Sequence, residues 1–252
     1  MGDMLERHLQ RQFEHSRRFF WHRLRWRAVR SYLPADEACE LVDVGAGAGL
    51  LGAYLGADRP RIRYLYVEPI PSLSAALATR HGADADRSGA ADYAGARFVT
   101  LLDVLEHQAD GDAFMAALVA KMDAGATVLV TVPALQRLWS GWDVALGHVR
   151  RYDKAELASC LRRSGLELRE ASYLFPEMYP LARWRARRAV ADTAVEDPTA
   201  AEFPELPGAL NDILYAVGSV SLALRRWWPF GTSVFAVAVK PAGSPPRARP
   251  YR

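Results

Sequence analysis

The sequence predicts an α/β fold: a mostly parallel sheet with helices on both faces, preceded by an N-terminal helical arm and interrupted by a helical insertion before its last strand. Three observations predict it. Apolar runs of strand length alternate with helical patterns over roughly 130 residues, the pattern of successive βαβ units. The first strand runs straight into a glycine-rich loop followed by a helix. A last apolar run stands apart, roughly sixty residues beyond the alternating series.

Residues 2–33 read as helix, dense in arginine, histidine and aromatics, and Pro34 stops it. Leu41–Val44 is a short strand ending at Gly45, and Leu50–Leu55 opens a helix. Ile62–Val67 is a second strand closed by Glu68, and Ser72–Arg80 suits a helix. Phe98–Leu102 is a third strand. Gly111–Met122 is a helix with Phe114, Leu118 and Met122 at i, i+4 and i+8. Thr127–Val132 is a strand, Lys154–Arg163 a helix ending at Gly165, and Leu166–Leu174 a strand. Ser233–Val239, with Val234, Phe235, Val237 and Val239, closes the sheet. Before it lie a basic helix (Leu181–Val190), an Ala/Asp/Glu/Pro loop (Asp192–Pro207) and an apolar helix (Leu210–Leu224) ending in Arg225-Arg226-Trp227-Trp228. The boundaries are therefore 1–35 for the arm, 36–175 for the core, 176–230 for the insertion and 231–240 for the last strand. Residues 241–252, with their prolines and arginines, are expected to be disordered.

Composition narrows the function. The bases number 32, all but Lys121, Lys154 and Lys240 being arginine, and the net charge is only +3. That is too small for a nucleic-acid footprint, so no nucleic-acid partner is expected. Two cysteines, Cys39 and Cys160, build no disulfide framework, which makes a reducing cytoplasm the expected compartment. No apolar leader region opens the sequence, and no uncharged run reaches the ~18–20 residues of a spanning helix. Secreted, collagen-like, disordered and membrane-spanning classes are excluded on these grounds.

The sharpest motif is Asp43-Val44-Gly45-Ala46-Gly47-Ala48-Gly49, between a strand and a helix. Glycines there allow tight turns and close approach of a ligand, and the helix N-terminus offers free N–H groups. Gly47–Gly52 also fits G-x-G-x-x-G. A dinucleotide loop begins directly after its strand, however, and in that frame the third glycine position falls on Leu50. Glu68 closes the second strand 19 residues after Gly49, where a carboxylate accepts both ribose hydroxyls of an adenosine. Asp103-Val104-Leu105-Glu106-His107 follows the third strand.

With these residues the sequence resembles the class I S-adenosylmethionine-dependent methyltransferases. The resemblance rests on Asp43–Gly49, Glu68-Pro69, Asp103–His107, the Asp123–Ala126 turn and Val132-Pro133-Ala134. It extends through Leu138-Trp139-Ser140 to Gly147-His148-Val149-Arg150-Arg151-Tyr152, similar to the "LWS…GHYRRY" run of a bacterial subgroup of the type 11/12-like enzymes. It covers about residues 38–175 and the last strand, and implies a Rossmann-like, seven-stranded, mostly parallel sheet. It further implies that the core binds S-adenosylmethionine, with S-adenosylhomocysteine as product. The insertion is read separately, from its apolar composition: Leu210–Leu224 with Trp227, Trp228 and Phe230 is expected to roof a hydrophobic acceptor pocket. Asp43 would hold the methionine amino group, and Gly45, Gly47 and Gly49 would lie against its carboxylate and the ribose. Glu68 would take the ribose hydroxyls, Pro69 and Ile70 would flank the adenine, and Asp103 would lie near the methionine end. The sequence departs from the family at residues 82–97, where the third strand and the adenine-contacting acid belong. Asp84, Asp86 and Asp92 all remain open for that acid, and the acid common before the next strand is Arg97 here.

A methyl sulfonium needs little covalent help, only in-line alignment and removal of the acceptor's proton. His107 and His148 are the candidate bases. Asp103, Glu106 and His107 stand at i, i+3 and i+4, and with His148 they make a conceivable divalent-metal set. The alternative, which the assignment follows, leaves the site metal-free, with Glu106 capping a helix and His107 packing under the cofactor. Trp139, Arg150, Arg151 and Tyr152 are the candidate acceptor contacts, since guanidinium pairs with carboxylate or phosphate. The arm's Phe19, Phe20, Trp21, Leu24 and Trp26 read either as a lid over the site or as a lipid-docking face. His8, His15 and His22, seven residues apart, form a helix stripe rather than a metal site. The expected activity is methylation of a small molecule, oxygen before nitrogen or carbon, with a lipophilic, aromatic or anionic acceptor and an optional peripheral contact with a membrane. A non-catalytic cofactor-binding regulator and an NAD(P)-dependent oxidoreductase are the alternatives. The sequence leaves the oligomeric state open.

Overall fold

The computed structural model describes residue 13, residues 15–189 and residues 206–242. Six strands form one sheet: β1 (Cys39–Val44), β2 (Ile62–Val67), β3 (Ala96–Leu102), β4 (Thr127–Pro133), β5 (Glu167–Leu174) and β6 (Ser233–Val239). Their order is β2-β1-β3-β4-β6-β5. The first four pair in parallel, and β6 runs antiparallel between β4 and β5. β4 and β6 are near-continuous apolar runs because both their faces are covered. Successive residues go to opposite cores. Val42, Val99 and Val128 belong to one cluster, and Leu41, Phe98 and Leu129 to the other.

The helices are α1 (Phe20–Arg30), α2 (Leu50–Asp58), α3 (Pro71–His81), α4 (Gly111–Lys121), α5 (Gly141–Ala145), α6 (Lys154–Arg163), α7 (Tyr179–Ala189) and α8 (Gly208–Ala223). Their starts follow local chemistry. Asp153 and Glu156 form a reciprocal capping box on α6, and the Asp110 side chain accepts from Ala113 N at the head of α4. No helix among the described residues is long and apolar enough to cross a membrane.

The sheet has six strands where seven were expected. Residues 83–85 form a 3-10 turn, and the missing strand survives as one parallel bridge, Tyr66 to Asp86, on the outer side of β2. The segment Gly82–Arg97 is rich in Gly, Ala and Asp and has almost no β-branched or aromatic side chains to cover that edge, so pairing stops after one residue.

The arm is not one long helix among its described residues. It breaks at Phe19, whose backbone is extended (φ −67°, ψ 131°), and α1 restarts at Phe20. Phe19, Phe20, Leu24 and Trp26 are buried in the core that covers one face of the sheet, and Trp21 stacks on Phe175 at 3.7 Å. Their apolar surface is consumed by the fold, which removes the lipid-docking reading of these residues. His8 lies outside the described residues.

α8 packs one side on α1. Phe20 N donates to Asn211 Oδ1 at 2.8 Å, Arg27 donates to Ser219, and Gly218 leaves room for the Leu24 side chain. Leu210, Ile213, Val217, Val220 and Leu224 face outward. The expectation that these residues roof an acceptor pocket is thus not met: the helix uses its small and polar side inward because α1 sits close.

One buried ionic cluster ties the insertion to the sheet. Glu170 on β5 accepts from Arg225 Nε (2.6 Å), Arg226 Nη2 (2.8 Å), Ser172 Oγ (2.8 Å) and the Tyr32 hydroxyl. Burial alone would raise its carboxyl pKa, but these hydrogen bonds outweigh burial and hold it at about 2. With the folded value below the unfolded one, the stabilisation is complete above pH ~4.5 and is lost as the pH falls towards 2. Glu170→Gln should therefore melt below wild type at pH 7, with the gap closing in that acid window. Thermal melts from pH 2 to 7 check this, and a pH-independent gap would contradict it.

Candidate active site

The C-terminal ends of the strands gather the glycine turn after β1 and, among the described residues, every non-glycine residue of positive φ. Gly45, Gly47 and Gly49 after β1 have φ of +72°, +57° and +77°. The positive-φ residues other than glycine in the described chain are Asp103, Leu135 and Phe175, which follow β3, β4 and β5. Such conformations cost roughly 1–3 kcal/mol each and concentrate at functional sites. The carboxyl end of an open α/β sheet is where such folds bind ligands.

The loop after β1 is held by β2: Gly45 N and Ala46 N both reach Val67 O. A Cβ on Gly45 would meet Val104 Cγ2 at 2.6 Å, and one on Gly49 would meet Leu77, so these two glycines serve packing as well as φ. Gly47 faces open space, with nothing within 4 Å of a built Cβ. Buried Glu68 accepts from Gly47 N (2.7 Å) and Ile70 N (2.9 Å), which fixes its carboxylate against the loop and leaves acceptor capacity on both oxygens. Pro69 and exposed Ile70 stand beside it. Asp43 is buried, accepting from Thr100 Oγ1 at 2.7 Å and Tyr64 OH at 3.0 Å. Burial pushes its carboxyl up to about 6 against the pull of those two donors. Of the three acids in the shortened segment, Asp86 lies on the bridge beside Tyr66, Asp84 pairs with Arg63, and Asp92 turns back onto Ala94 N.

Asp103 accepts from Thr131 Oγ1 (3.0 Å) and is ion-paired to Arg25 of α1. The arm thus reaches the site through one guanidinium, a contact without a sequence signal. The other arm arginines of α1 are used elsewhere: Arg23 lies over Tyr215, Arg27 on Ser219 and Arg30 on Asp58.

Leu105–His107 is a 3-10 turn, so Asp103, Glu106 and His107 do not share a helix face. Glu106 points inward, fully buried, and neither oxygen has a hydrogen bond among the described residues. Burial, then the neighbouring Asp103, raises its pKa well above the usual carboxylate range. His107 and His148 do meet, with ring centroids 4.9 Å apart. His148 Nδ1 lies 2.9 Å from Asp143 Oδ1, and its Nε2 lies 3.8 Å from Glu106 Oε1. His107 Nδ1 lies 3.2 Å from Gly147 O. Both partners are acceptors, so each ring carries its proton on Nδ1 and presents a basic Nε2. Burial lowers the His107 pKa, which Gly147 O only partly offsets. Glu106, His107 and His148 each place a ligating atom within 4.8 Å of the others, whereas Asp103 is committed to Arg25 and Thr131.

Asp143 went unnoticed in the sequence. It is fully buried and binds Arg151 bidentately, Nε to Oδ1 at 2.7 Å and Nη2 to Oδ2 at 2.9 Å. Burial would raise its carboxyl, but His148 and Arg151 outweigh that and hold it low. Arg151 also donates to Ala134 O, and Tyr152 is buried with its hydroxyl 3.4 Å from Leu105 O. These two expected acceptor contacts therefore face the protein interior. Arg150 is exposed, paired with Glu156 and laid over the Tyr152 ring, and Trp139 is half-buried.

A mostly parallel sheet with one antiparallel strand, a glycine loop after β1 and an acid closing β2 has the architecture of the class I methyltransferase fold. The Methyltransferase domain family matches residues 6–171, and the chain belongs to that family, among the S-adenosylmethionine-dependent methyltransferases. No curated protein matches the chain. Among solved structures it is similar to the partner of the Haloferax volcanii Trm112 methyltransferase activator, at 17% identity and TM-score 0.55 over 86% of this chain and 90% of that one. Haemonchus contortus phosphoethanolamine N-methyltransferase 2, in complex with S-adenosylmethionine, is 15% identical with TM-score 0.54, over 86% of this chain and 52% of that one. YcgJ of Bacillus subtilis is 11% identical with TM-score 0.52, over 88% of this chain and 99% of that one. At these identities the likeness is one of fold.

Proposed function

We propose that the chain methylates a small-molecule acceptor at oxygen, with His148 as the base, and that the acceptor is lipophilic, aromatic or anionic. The observation that carries this reading is His148 Nε2, basic, nearly buried and aimed between Glu106 and His107 while Asp143 holds Nδ1. The cradle of Gly47, Glu68 and Asp43, with Asp103 beside it, fits S-adenosylmethionine: open space at Gly47, a fixed carboxylate for two hydroxyls, and the buried Asp43 for an ammonium. When bound there, the cofactor supplies an electrophilic methyl group. His148 would take the acceptor's hydroxyl proton, leaving the oxygen nucleophilic toward that methyl group. The resulting imidazolium is stabilised by the Asp143 carboxylate at its Nδ1. Arg25 stands beside this space, a cation suited to an acceptor that carries an anionic group. Trp139 and Arg150 are the remaining candidate acceptor contacts, and the compartment is cytoplasmic.

A second reading, with a divalent metal on Glu106, His107 and His148, is favoured by the unpaired Glu106 carboxyl. Incubation with methyl-labelled S-adenosylmethionine and a panel of phenols, hydroxy acids and amines, with and without EDTA, decides. Label on oxygen, unaffected by EDTA and lost on His148→Ala, is expected. Label on nitrogen or carbon alone contradicts the oxygen preference. Loss with EDTA and recovery with Mg2+ or Mn2+ selects the metal reading, and no transfer despite cofactor binding selects a regulatory protein.

A further inference from the structure

We propose that the outward face of α8 is the contact surface of a two-fold symmetric dimer of this chain, with the two α8 helices packed antiparallel. Leu210, Ile213, Val217, Val220, Leu224 and Trp227 follow one another at spacings of three, four, three, four and three. All six are exposed among the described residues, from 43% for Leu210 to 85% for Trp227, the last on the 3-10 turn that continues α8. This is the a/d spacing of a helix–helix seam, and it runs about 26 Å along the axis. Ala209, Ala216 and Ala223 recur every seventh residue along one flank of that seam, and all three are exposed. Their small side chains let a second helix backbone approach closely.

The opposite side of α8 is already packed against α1, through Asn211, Gly218 and Ser219. A helix apolar on its outer side as well is one that is covered from both sides. The exposed parts of the six side chains amount to roughly 600 Å² per copy, most of the ~800 Å² per partner of a standard interface. A contiguous apolar patch of that extent lies at the top of the range that monomers expose, and such patches commonly serve an interaction.

The spacing also fits its own copy. A two-fold axis midway between Val217 and Val220 sets Val217 against Val220, Ile213 against Leu224 and Leu210 against Trp227, so every seam residue gains a partner. A lipid surface is the weaker match. Helices lying in a membrane interface carry Lys or Arg along their polar rim. Residues 208–224 contain none, and their one charge is Asp212. Arg225 and Arg226 beyond them are bound to Glu170.

Light scattering on the full chain at micromolar concentration, after size exclusion, reads the mass directly. Twice 27.9 kDa is expected for wild type, and V217E/V220E, with like charges across the axis, should halve it while retaining the wild-type circular dichroism. V217E/V220R sets opposite charges across the axis and should recover the dimer, which separates a lost contact from a misfolded chain. A wild-type mass of one chain overturns the proposal, as does an unchanged mass for V217E/V220E. Failure of V217E/V220R to recover the dimer overturns the antiparallel register. Flotation of a one-chain species with phosphatidylcholine/phosphatidylglycerol vesicles, abolished by V217E/V220E, assigns the face to lipid instead.

Discussion

Asp143→Ala should destabilise the fold by about 3–5 kcal/mol, because it strands the buried guanidinium of Arg151. The carboxylate makes both arms of a bidentate pair, accepts from Ser140 N at 2.9 Å and holds His148 Nδ1. Arg151 in turn spans Asp143, Ala134 O and, through its own N–H, Gln136 Oε1. One substitution therefore leaves a charge with a single carbonyl in a site closed to water. At roughly 2–4 °C per kcal/mol for a chain of this size, the melting temperature should fall by about 6–20 °C. Replacing both members, Asp143→Ala with Arg151→Met, should recover part of that loss, since no buried charge remains. A fall of less than about 1 kcal/mol would show that the pair is solvated and does not brace the loop. In Asp143→Asn, which keeps the shape, His148 should lose its fixed tautomer, and turnover should drop more than stability.

Glu68→Ala should weaken binding of S-adenosylhomocysteine by about 100-fold or more. Two hydroxyl donors to one ionised carboxylate contribute roughly 1.5–3 kcal/mol each, and every 1.4 kcal/mol is tenfold in affinity. The same substitution frees Gly47 N and Ile70 N, so the loop loses its clamp as well as its ribose partner. Glu68→Gln retains one acceptor and the side-chain volume, and should cost nearer tenfold. Calorimetric titration separates the cases. An unchanged affinity in Glu68→Ala would mean that the carboxylate only braces the loop.

What the sequence revealed and what it hid have physical reasons. β1, β3 and β6 were legible because each is a short apolar run bounded by Gly, Pro or charge, and burial on both faces leaves little alternative. The glycine loop and Glu68 were legible because the left-handed turn and the end of a strand are set by local chemistry. Asp143 was not. Its only local mark is Ser140-Gly-Trp-Asp143, a capping box, and its pairing with Arg151 exists only once the loop after β4 folds back on Ala134. The Arg25–Asp103 pair is hidden for the same reason, spanning 78 residues. The direction of α8 was misjudged from an apolar pattern that states which residues seek burial but not against what. The expected edge strand failed where residues 82–97 lack the side chains to cover β2.

The central claim is that the cradle between Gly47, Glu68, Asp43 and Asp103 binds S-adenosylmethionine for methyl transfer. Isothermal titration of the full chain with S-adenosylhomocysteine, and separately with NAD, tests it most directly. Saturable binding of the first at one site per chain, lost in Glu68→Ala, and no heat from NAD are the results expected. Tight NAD binding with no response to S-adenosylhomocysteine would contradict the account.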